Sequence, residues 1–272
     1  LPINMHTLRK KAARVSEEFR GKSTQAKISS VYRFIKKVGL SNCVSTHVAQ
    51  KDHRETEEES THFVTLMRQK VSGMDPADVL NMDQTPIPYS FPSSRTLEKK
   101  GAKTLNVRTS TTDTKRATLA ATVTASGELL PPFLIFKGKT DGRIASRELL
   151  TYPEECIYAC QDKAWMDEPM MHKWINLFLI PWKNSRDPSI TPLLILDAYR
   201  IHMMGSIVNR IQALGIEVQH IPAGCTYLCQ PVDVGINRSI KKEMTEQWED
   251  WMINGGGVDG GIAKTPTRRQ VA

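Results

Sequence analysis

Leu193-Leu194-Ile195-Leu196-Asp197 is a run of four aliphatic residues that ends in an acid. Successive side chains of a strand point to opposite faces, so a run with no polar position predicts a strand that is covered on both faces. Such a strand belongs in the interior of a sheet with helices on both sides. Its terminal acid then lies at the edge of the core.

The segments around this strand alternate between strand and helix patterns. Val79-Leu80-Asn81-Met82-Asp83 is a second short strand that ends in an acid. In chain order, the patterns from Val79 onward predict strand, strand, strand, helix, strand, helix, strand, helix, which favours an α/β class with a ribonuclease H-like mixed sheet flanked by helices. The remaining strands are predicted at 117–125, 131–136 and 216–221, and the helices at 62–74, 171–182, 207–214 and 236–251.

Positive charge is concentrated at the start of the chain. Residues 1–50 have ten Lys/Arg and two acids, a net +8 that equals the charge of all 272 residues. Apolar spacing predicts helices at 8–19 and 28–38, the second ended by Gly39, so we expect a small all-α helix-turn-helix region that binds DNA. A solvated basic surface is the alternative. The predicted DNA-binding residues are Arg9, Lys10, Lys11, Arg14, Lys27, Arg33, Lys36 and Lys37.

These patterns predict four regions. Residues 1–50 form the helix-turn-helix region, the polar residues 51–62 a linker, 63–252 the catalytic domain, and 253–272 a flexible Gly-rich tail. Thr265 followed by Pro266 predicts a helix start in that tail, so we expect a truncated chain.

Composition argues against several classes of protein. No secretory signal or membrane-length apolar run is present, so no membrane partner is expected. Five cysteines argue against a disulfide framework and favour a reducing compartment. Two C-x₃-C pairs, Cys156 with Cys160 and Cys225 with Cys229, raise a zinc site as an alternative to free thiols, but neither has the compact spacing of a zinc finger.

Two strand-end acids, Asp83 and Asp197, predict a metal site. Carboxylates that meet at the edge of a core are costly unless a cation neutralises them, and oxygen-only ligands suit Mg²⁺ or Mn²⁺. Asp233 is predicted in the first turn of the last helix, where the helix dipole favours an acid. Three such acids could hold two ions roughly 4 Å apart, as in phosphodiester-cleaving sites.

Three motifs resemble those of the pogo/Tigger-type DDE transposases. They are Asn81-Met82-Asp83-Gln84-Thr85-Pro86, Leu194-Ile195-Leu196-Asp197 followed by His202, and Gln230-Pro231-Val232-Asp233-Val234-Gly235-Ile236-Asn237, with 35 residues between the second and third acids. Residues 7–48 resemble, more weakly, a centromere protein B-type helix-turn-helix.

The resemblance implies that Asp83, Asp197 and Asp233 are the catalytic and metal-binding residues. It further implies a nuclear protein with two Mg²⁺ (or Mn²⁺) ions that cleaves double-stranded DNA at transposon ends and joins them to target DNA. A homo-oligomer on DNA remains open. The alternative function is a catalytically decayed or domesticated nucleic-acid-binding protein.

Two positions near the acids are less certain from the sequence. Gln84 replaces the usual Glu of the family, at a position that is not an expected ligand. His202 is either an accessory residue that positions DNA or a ligand, or a hydrogen-bonded structural histidine. We expect the five tryptophans to be mostly core residues and not base-stacking platforms.

Overall fold

The computed structural model describes residues 5–40, 53–91, 115–254, 258–259, 262–263 and 265–272. The chain divides into two compact units, residues 1–50 and 51–272. None of the helices in these described ranges is long and apolar enough to cross a membrane.

The first unit contains three helices, α1 (Met5–Val15), α2 (Glu17–Gly21) and α3 (Thr24–Lys37). The single helix expected at 8–19 is interrupted at Ser16, because the Ser16 hydroxyl accepts a hydrogen bond from the Phe19 N–H (3.1 Å) and begins a new helix. Gly39 follows α3 with φ +70°, as expected of a residue that ends a helix.

The second unit is built on a mixed six-stranded sheet in the order β4-β3-β2-β1-β5-β6. β1 pairs with β2 antiparallel and with β5 parallel, so the aliphatic strand at 193–197 is an interior strand as predicted. The strands are β1 (Val79–Pro88), β2 (Arg116–Thr124), β3 (Phe133–Lys137), β4 (Ile157–Gln161), β5 (Leu193–Asp197) and β6 (Glu217–Ile221).

Helices cover both faces of this sheet. Leu80 and Met82 of β1 point to a core that includes Trp174, Ile207 and Ile211 from the helices of the first face. That face carries α5 (Glu168–Trp174), a π-helical turn (Ile175–Leu179), α6 (Ile180–Asn184) and α7 (Gly205–Ala213).

The opposite face of the sheet receives the odd-numbered residues of β1. Ile87 packs in a core with Val232, Ile236 and Ile240, while Phe63 packs against Ile195 and Cys225. Asp83, also odd-numbered, therefore belongs to this second face. That face is covered by α4 (His53–Lys70), α8 (Thr226–Cys229), a π-helical turn (Val232–Ile236) and α9 (Asn237–Ile253).

Three regions differ from the sequence-based prediction. The linker expected at 51–62 is wrong from His53 onward, because α4 begins there, with Arg54 and Glu58 paired one turn apart (3.4 Å). β4 was not predicted at all. The tail holds a two-stranded sheet of β7 (Val258–Asp259) and β8 (Ile262–Ala263), and α10 (Arg268–Val271), which is capped by Thr267 and not Thr265.

Candidate active site

Asp83 and Asp197 end up side by side because their strands are parallel neighbours. Asn81 of β1 is opposite Ile195 of β5, and each acid lies two residues further along its strand. Equal steps along two parallel strands keep the two side chains at one level and on one face. Asp83 is buried (7% exposed), whereas the Asp197 side chain is 21% exposed.

A buried amide network brings the third acid to the same place. The Asn81 side-chain N–H donates to the Ile195 carbonyl and to Gln230 Oε1 (3.0 Å each), and its Oδ1 accepts from the Val232 N–H (3.1 Å). Gln230 in turn donates to the Met82 carbonyl (3.4 Å). This network ties the segment that precedes Asp233 to the two strands that carry Asp83 and Asp197.

The environment of Asp83 shows that the three acids interact. The pKa of Asp83 is raised from 3.8 to about 7, first by burial and then by the charge of Asp233, with smaller contributions from the charge of Asp197 and a hydrogen bond with Asp233, against a lowering by the Gln84 backbone N–H. The Asp83 carboxyl is therefore within hydrogen-bonding reach of Asp233 and within the electrostatic influence of Asp197.

Asp197 is held by a buried histidine. His202 is fully buried, and its Nδ1 lies 2.5 Å from Asp197 Oδ1, while its Nε2 lies 2.7 Å from the side-chain amide nitrogen of Gln84. With a neutral imidazole, the Nδ1–H donates to Asp197 and the Gln84 amide donates to Nε2. Gln84 stands where the resembling family usually has Glu. Through its contact with His202, it connects the strand of Asp83 to Asp197.

The carboxylate oxygens of the three acids suit a divalent cation, although they are not arranged around one point as metal ligands. No Lys or Arg within the described ranges forms an ion pair with any of the three acids, so their mutual repulsion is not neutralised by the protein. Across those same residues, no three His, Cys, Asp or Glu side chains are arranged to hold a metal ion. The reason is orientation, since Asp197 Oδ1 faces His202 and Asp233 Oδ1 accepts from Asn237 (2.6 Å).

The cysteines do not form the alternative zinc site in the part of the chain that the structure describes. Cys160 is buried in β4, with Cys156 just before that strand, whereas Cys225 and Cys229 pack toward Thr56 and Ser60 of α4. None of these four described cysteines forms a disulfide.

The predicted DNA-binding residues lie on two helices of the first unit. Arg9, Lys10, Lys11 and Arg14 belong to α1, and Lys27, Arg33, Lys36 and Lys37 belong to α3. Six of these side chains are exposed, and those of Arg9 and Lys27 are half-buried. The apolar stripe expected in α3 is less buried than predicted: only Val31 among the residues of this helix is buried, and Tyr32 is 57% exposed.

Sequence reasoning missed three residues near the acids. Asn81 and Gln230 belong to the first and third motifs, but no role was predicted for either. Each lies three residues or fewer from an acid and is a polar residue in an apolar context, which is a signal that the sequence offers. Trp165 was expected in the core, but it is 50% exposed, and the Arg116 guanidinium lies 5.6 Å from the centre of its ring.

Residues 114–269 match the model of the family described as DDE superfamily endonuclease. Over 277 residues the chain is 24% identical to the human "Pogo transposable element with KRAB domain", covering 98% of this chain and 42% of the relative. It is 21% identical over 253 residues to the human "Pogo transposable element with ZNF domain", covering 92% of this chain and 17% of the relative. The chain thus spans less than half the length of the curated relatives it matches.

Solved structures of Mos1 transposase are similar in fold. A Mos1 paired-end complex with left transposon end superimposes with a TM-score of 0.54 at 12% identity, covering 96% of this chain and 74% of that chain. A mariner Mos1 paired-end complex with Mg gives 0.54 at 13% identity, covering 92% of this chain and 69% of that chain. This likeness confirms the predicted ribonuclease H-like fold class.

Proposed function

Because this chain belongs to the DDE superfamily endonucleases, with pogo transposable-element proteins among its relatives, we propose that it is a metal-dependent transposase. Its reaction is the hydrolysis of DNA phosphodiester bonds at transposon ends, followed by joining of the freed 3′-hydroxyl to target DNA. Asp83, Asp197 and Asp233 are the residues that hold the metal ions.

The observation that carries this proposal is the convergence of three acids from distant parts of the chain. Asp83 and Asp197 lie at one level on parallel strands, and the Asn81–Gln230 network ties the segment before Asp233 to them. Repulsion within such a group is costly for the fold, so a structural role alone gives no reason for it.

The proposed ions are Mg²⁺ or Mn²⁺, because only carboxylate oxygens are offered. Solved Mos1 complexes with Mg and with Mn support this choice. When bound, a pair of such ions activates the attacking water or hydroxyl and stabilises the leaving oxygen.

The protein's own part is orientation of the acids. His202 donates to Asp197 Oδ1 and leaves Oδ2 of the same carboxylate available as a ligand. Gln84 fixes the opposite nitrogen of the imidazole and so limits rotation of the ring.

Double-stranded DNA is the proposed partner, and the nucleus is the proposed location. The structural neighbours include a complex of Mos1 with a transposon end, and the curated relatives are named after the pogo element. The basic residues on α1 and α3 are proposed to contact phosphates, because exposed Lys and Arg gain affinity from the release of counterions.

Substitution of Asp197 by Asn tests the catalytic assignment, since it keeps the shape and removes the charge. We expect cleavage of DNA that carries the cognate transposon ends, in Mg²⁺, to fall about a thousandfold or more, while binding of the same DNA persists. The matched control is Asp141→Asn, an exposed acid of the same unit, which should cleave like the parent.

Mn²⁺ binding by calorimetry gives a readout that does not depend on turnover. The parent should bind Mn²⁺ and Asp197→Asn should bind it far more weakly. Equal cleavage by parent and Asp197→Asn would show that the catalytic assignment is wrong. Metal binding without cleavage of cognate ends by the parent would instead favour the alternative of a decayed or domesticated DNA-binding protein.

A further inference from the structure

A basic, aromatic cleft leads away from the three acids. One part has a volume of about 220 Å³ and is lined by Gln84, Tyr199, Arg116 and Trp165 among others. A second part has a volume of about 550 Å³ and shares Arg116 and Trp165 with the first. The two parts adjoin at these two residues, and we call them together the Trp165 cleft.

The near end of the Trp165 cleft touches the candidate active site. The Tyr199 N–H donates to Asp197 Oδ1 (3.4 Å), and the Tyr199 ring packs edge-on against His202 at 5.7 Å. Gln84 follows Asp83 directly and contacts His202. Gln84 and Tyr199 thus connect this end of the cleft to His202 and Asp197, although none of the three acids lines it.

The far end of the cleft is strongly positive. It is lined by Lys115, Arg116, Lys137, Lys163 and Arg268, and it has no acidic residue among its described lining residues. Glu148 pairs with Arg268 from outside the lining (3.2 Å). Residues 51–272 as a whole carry 27 basic and 27 acidic groups, so this cluster is a local excess and not a general property of the unit.

Trp165 is presented by a constrained turn. Ala164 has φ +56°, a left-handed conformation that is rare for a residue with a Cβ, and it is the one non-glycine residue with positive φ within the described ranges. Gln161 Oε1 accepts from the N–H groups of Lys163 and Trp165 (2.6 and 3.0 Å), and the Thr118 hydroxyl donates to the Ala164 carbonyl (2.5 Å). Conformations of this kind persist where the surroundings hold them, and they cluster at ligand sites.

From these observations we propose that the Trp165 cleft binds a single-stranded stretch of DNA next to the bond that is cleaved. Trp165 stacks on an unpaired base, and the cations of the far end contact the phosphates that follow. A half-exposed indole beside a row of cations is how proteins hold single strands without reading their sequence. The position of the cut relative to this strand rests on the proposed function, whereas the binding itself does not.

The test compares two DNA ligands in EDTA, so that neither metal nor cleavage takes part. One is a short duplex with a single-stranded extension of a few nucleotides, and the other is the same duplex with blunt ends. We expect the parent to bind the extended duplex at least about fivefold more tightly, the effect of stacking one base. Trp165→Ala should lose that preference, because a half-exposed side chain can be removed without opening the core.

Two further variants separate stacking from folding and from simple charge. Trp165→Phe retains a ring for stacking, so it should keep the preference while losing the quenching of tryptophan fluorescence that the extension causes in the parent. Lys163→Ala should weaken binding of the extended duplex severalfold, whereas Lys242→Ala, an exposed lysine on α9, should not.

Equal affinity of the parent for both ligands would overturn the proposal. Retention of the preference by Trp165→Ala would overturn it as well, even if Lys163→Ala binds weakly, because the cleft would then bind phosphate alone. The outcome is independent of the proposed catalysis. A protein that never cleaves DNA can still show the preference, and an active nuclease can lack it.

Discussion

Replacing Asp83 by Asn should stabilise the metal-free protein above neutral pH. Asp83 is buried beside Asp233 and Asp197, and its pKa is raised from 3.8 to about 7, first by burial and then by the charge of Asp233. Asn has nearly the same shape, carries no charge, and can donate its amide hydrogens to the Asp233 carboxylate. The substitution therefore removes the repulsion and keeps the packing.

The magnitude follows from the difference between the folded and unfolded pKa of this one group. Because the folded pKa of Asp83 is the higher, the folded protein keeps a proton that the unfolded chain loses at lower pH. The stability linked to that proton is fully present below pH 3.8 and is lost as the pH rises through about 7. At about 1.4 kcal/mol per pH unit, the loss is about 4 kcal/mol at pH 8 and about 1.6 kcal/mol at pH 5.

Urea unfolding in EDTA at pH 5 and pH 8, followed by tryptophan fluorescence, measures this difference. All five tryptophans lie between residues 165 and 251, so the signal reports on the second unit alone. The advantage of Asp83→Asn over the parent should grow by about 2–3 kcal/mol between the two pH values. Asp141→Asn, at an exposed acid, should stay within about 0.5 kcal/mol of the parent at both.

Adding Mg²⁺ at pH 8 should narrow the stability difference between Asp83→Asn and the parent. At ten times its Kd, Mg²⁺ should stabilise the parent by about 1.4 kcal/mol. Asp83→Asn should gain little, because one of the ligands is gone. If the parent and Asp83→Asn have the same pH dependence of unfolding, the three acids do not repel one another in the folded protein, and the reasoning from their convergence is refuted.

Two further predictions concern the first unit and the buried amides. Deleting residues 1–50 should flatten the fall of DNA affinity with rising salt, because the net charge of +8 lies there, and filter binding at a series of salt concentrations that shows an unchanged slope would contradict this. Gln230→Ala should lower the free energy of unfolding by about 2–4 kcal/mol in urea, because it removes two buried hydrogen bonds, one from the Asn81 amide and one to the Met82 carbonyl, and a loss under about 0.5 kcal/mol would show that the network does not hold the site together.

Much of the sheet could be predicted because apolar strands leave a clear pattern. β5 has no polar position before its terminal acid, and β1 begins with Val79-Leu80, so both strands were predicted, although β1 continues past Asp83 to Pro88 and that acid does not end its strand. β4 escaped prediction because it is short and mixed, with Gln161 and a half-buried Tyr158 among small residues, and such a pattern resembles a loop. Its place at the sheet edge depends on pairing with β3, which no local pattern encodes.

The error at 51–62 has a different physical origin. A run of charged residues has nothing to bury on its own, which favours a linker. In the folded protein, however, Thr56 and Ser60 are buried on the side of α4 that faces Cys225 and Cys229. Four small side chains, separated by about 170 residues, make this contact, so only the tertiary structure reveals the helix.

Net charge also concealed part of the candidate site. Summed over residues 51–272, the basic and acidic groups cancel, which suggested that DNA binding belongs to residues 1–50 alone. A net charge does not show where the charged residues lie. The fold gathers Lys115, Lys137 and Lys163 from three separate segments around one cleft. Trp165 was likewise predicted to be a core residue. No pattern in the sequence shows that Ala164 adopts a left-handed conformation and turns the indole toward solvent.

The three acids repel one another, whereas the amide network holds the segments that carry them together. Three carboxylates without a cation tend to move apart, and nothing in their own chemistry opposes this before a metal binds. Asn81 and Gln230 are uncharged, so their hydrogen bonds do not weaken as the acids ionise, and they join β1, β5 and the segment before Asp233 directly. A charged residue at either position would place a further charge beside the acids. Two neutral amides hold the segments of the acids together without pairing with the carboxylates themselves.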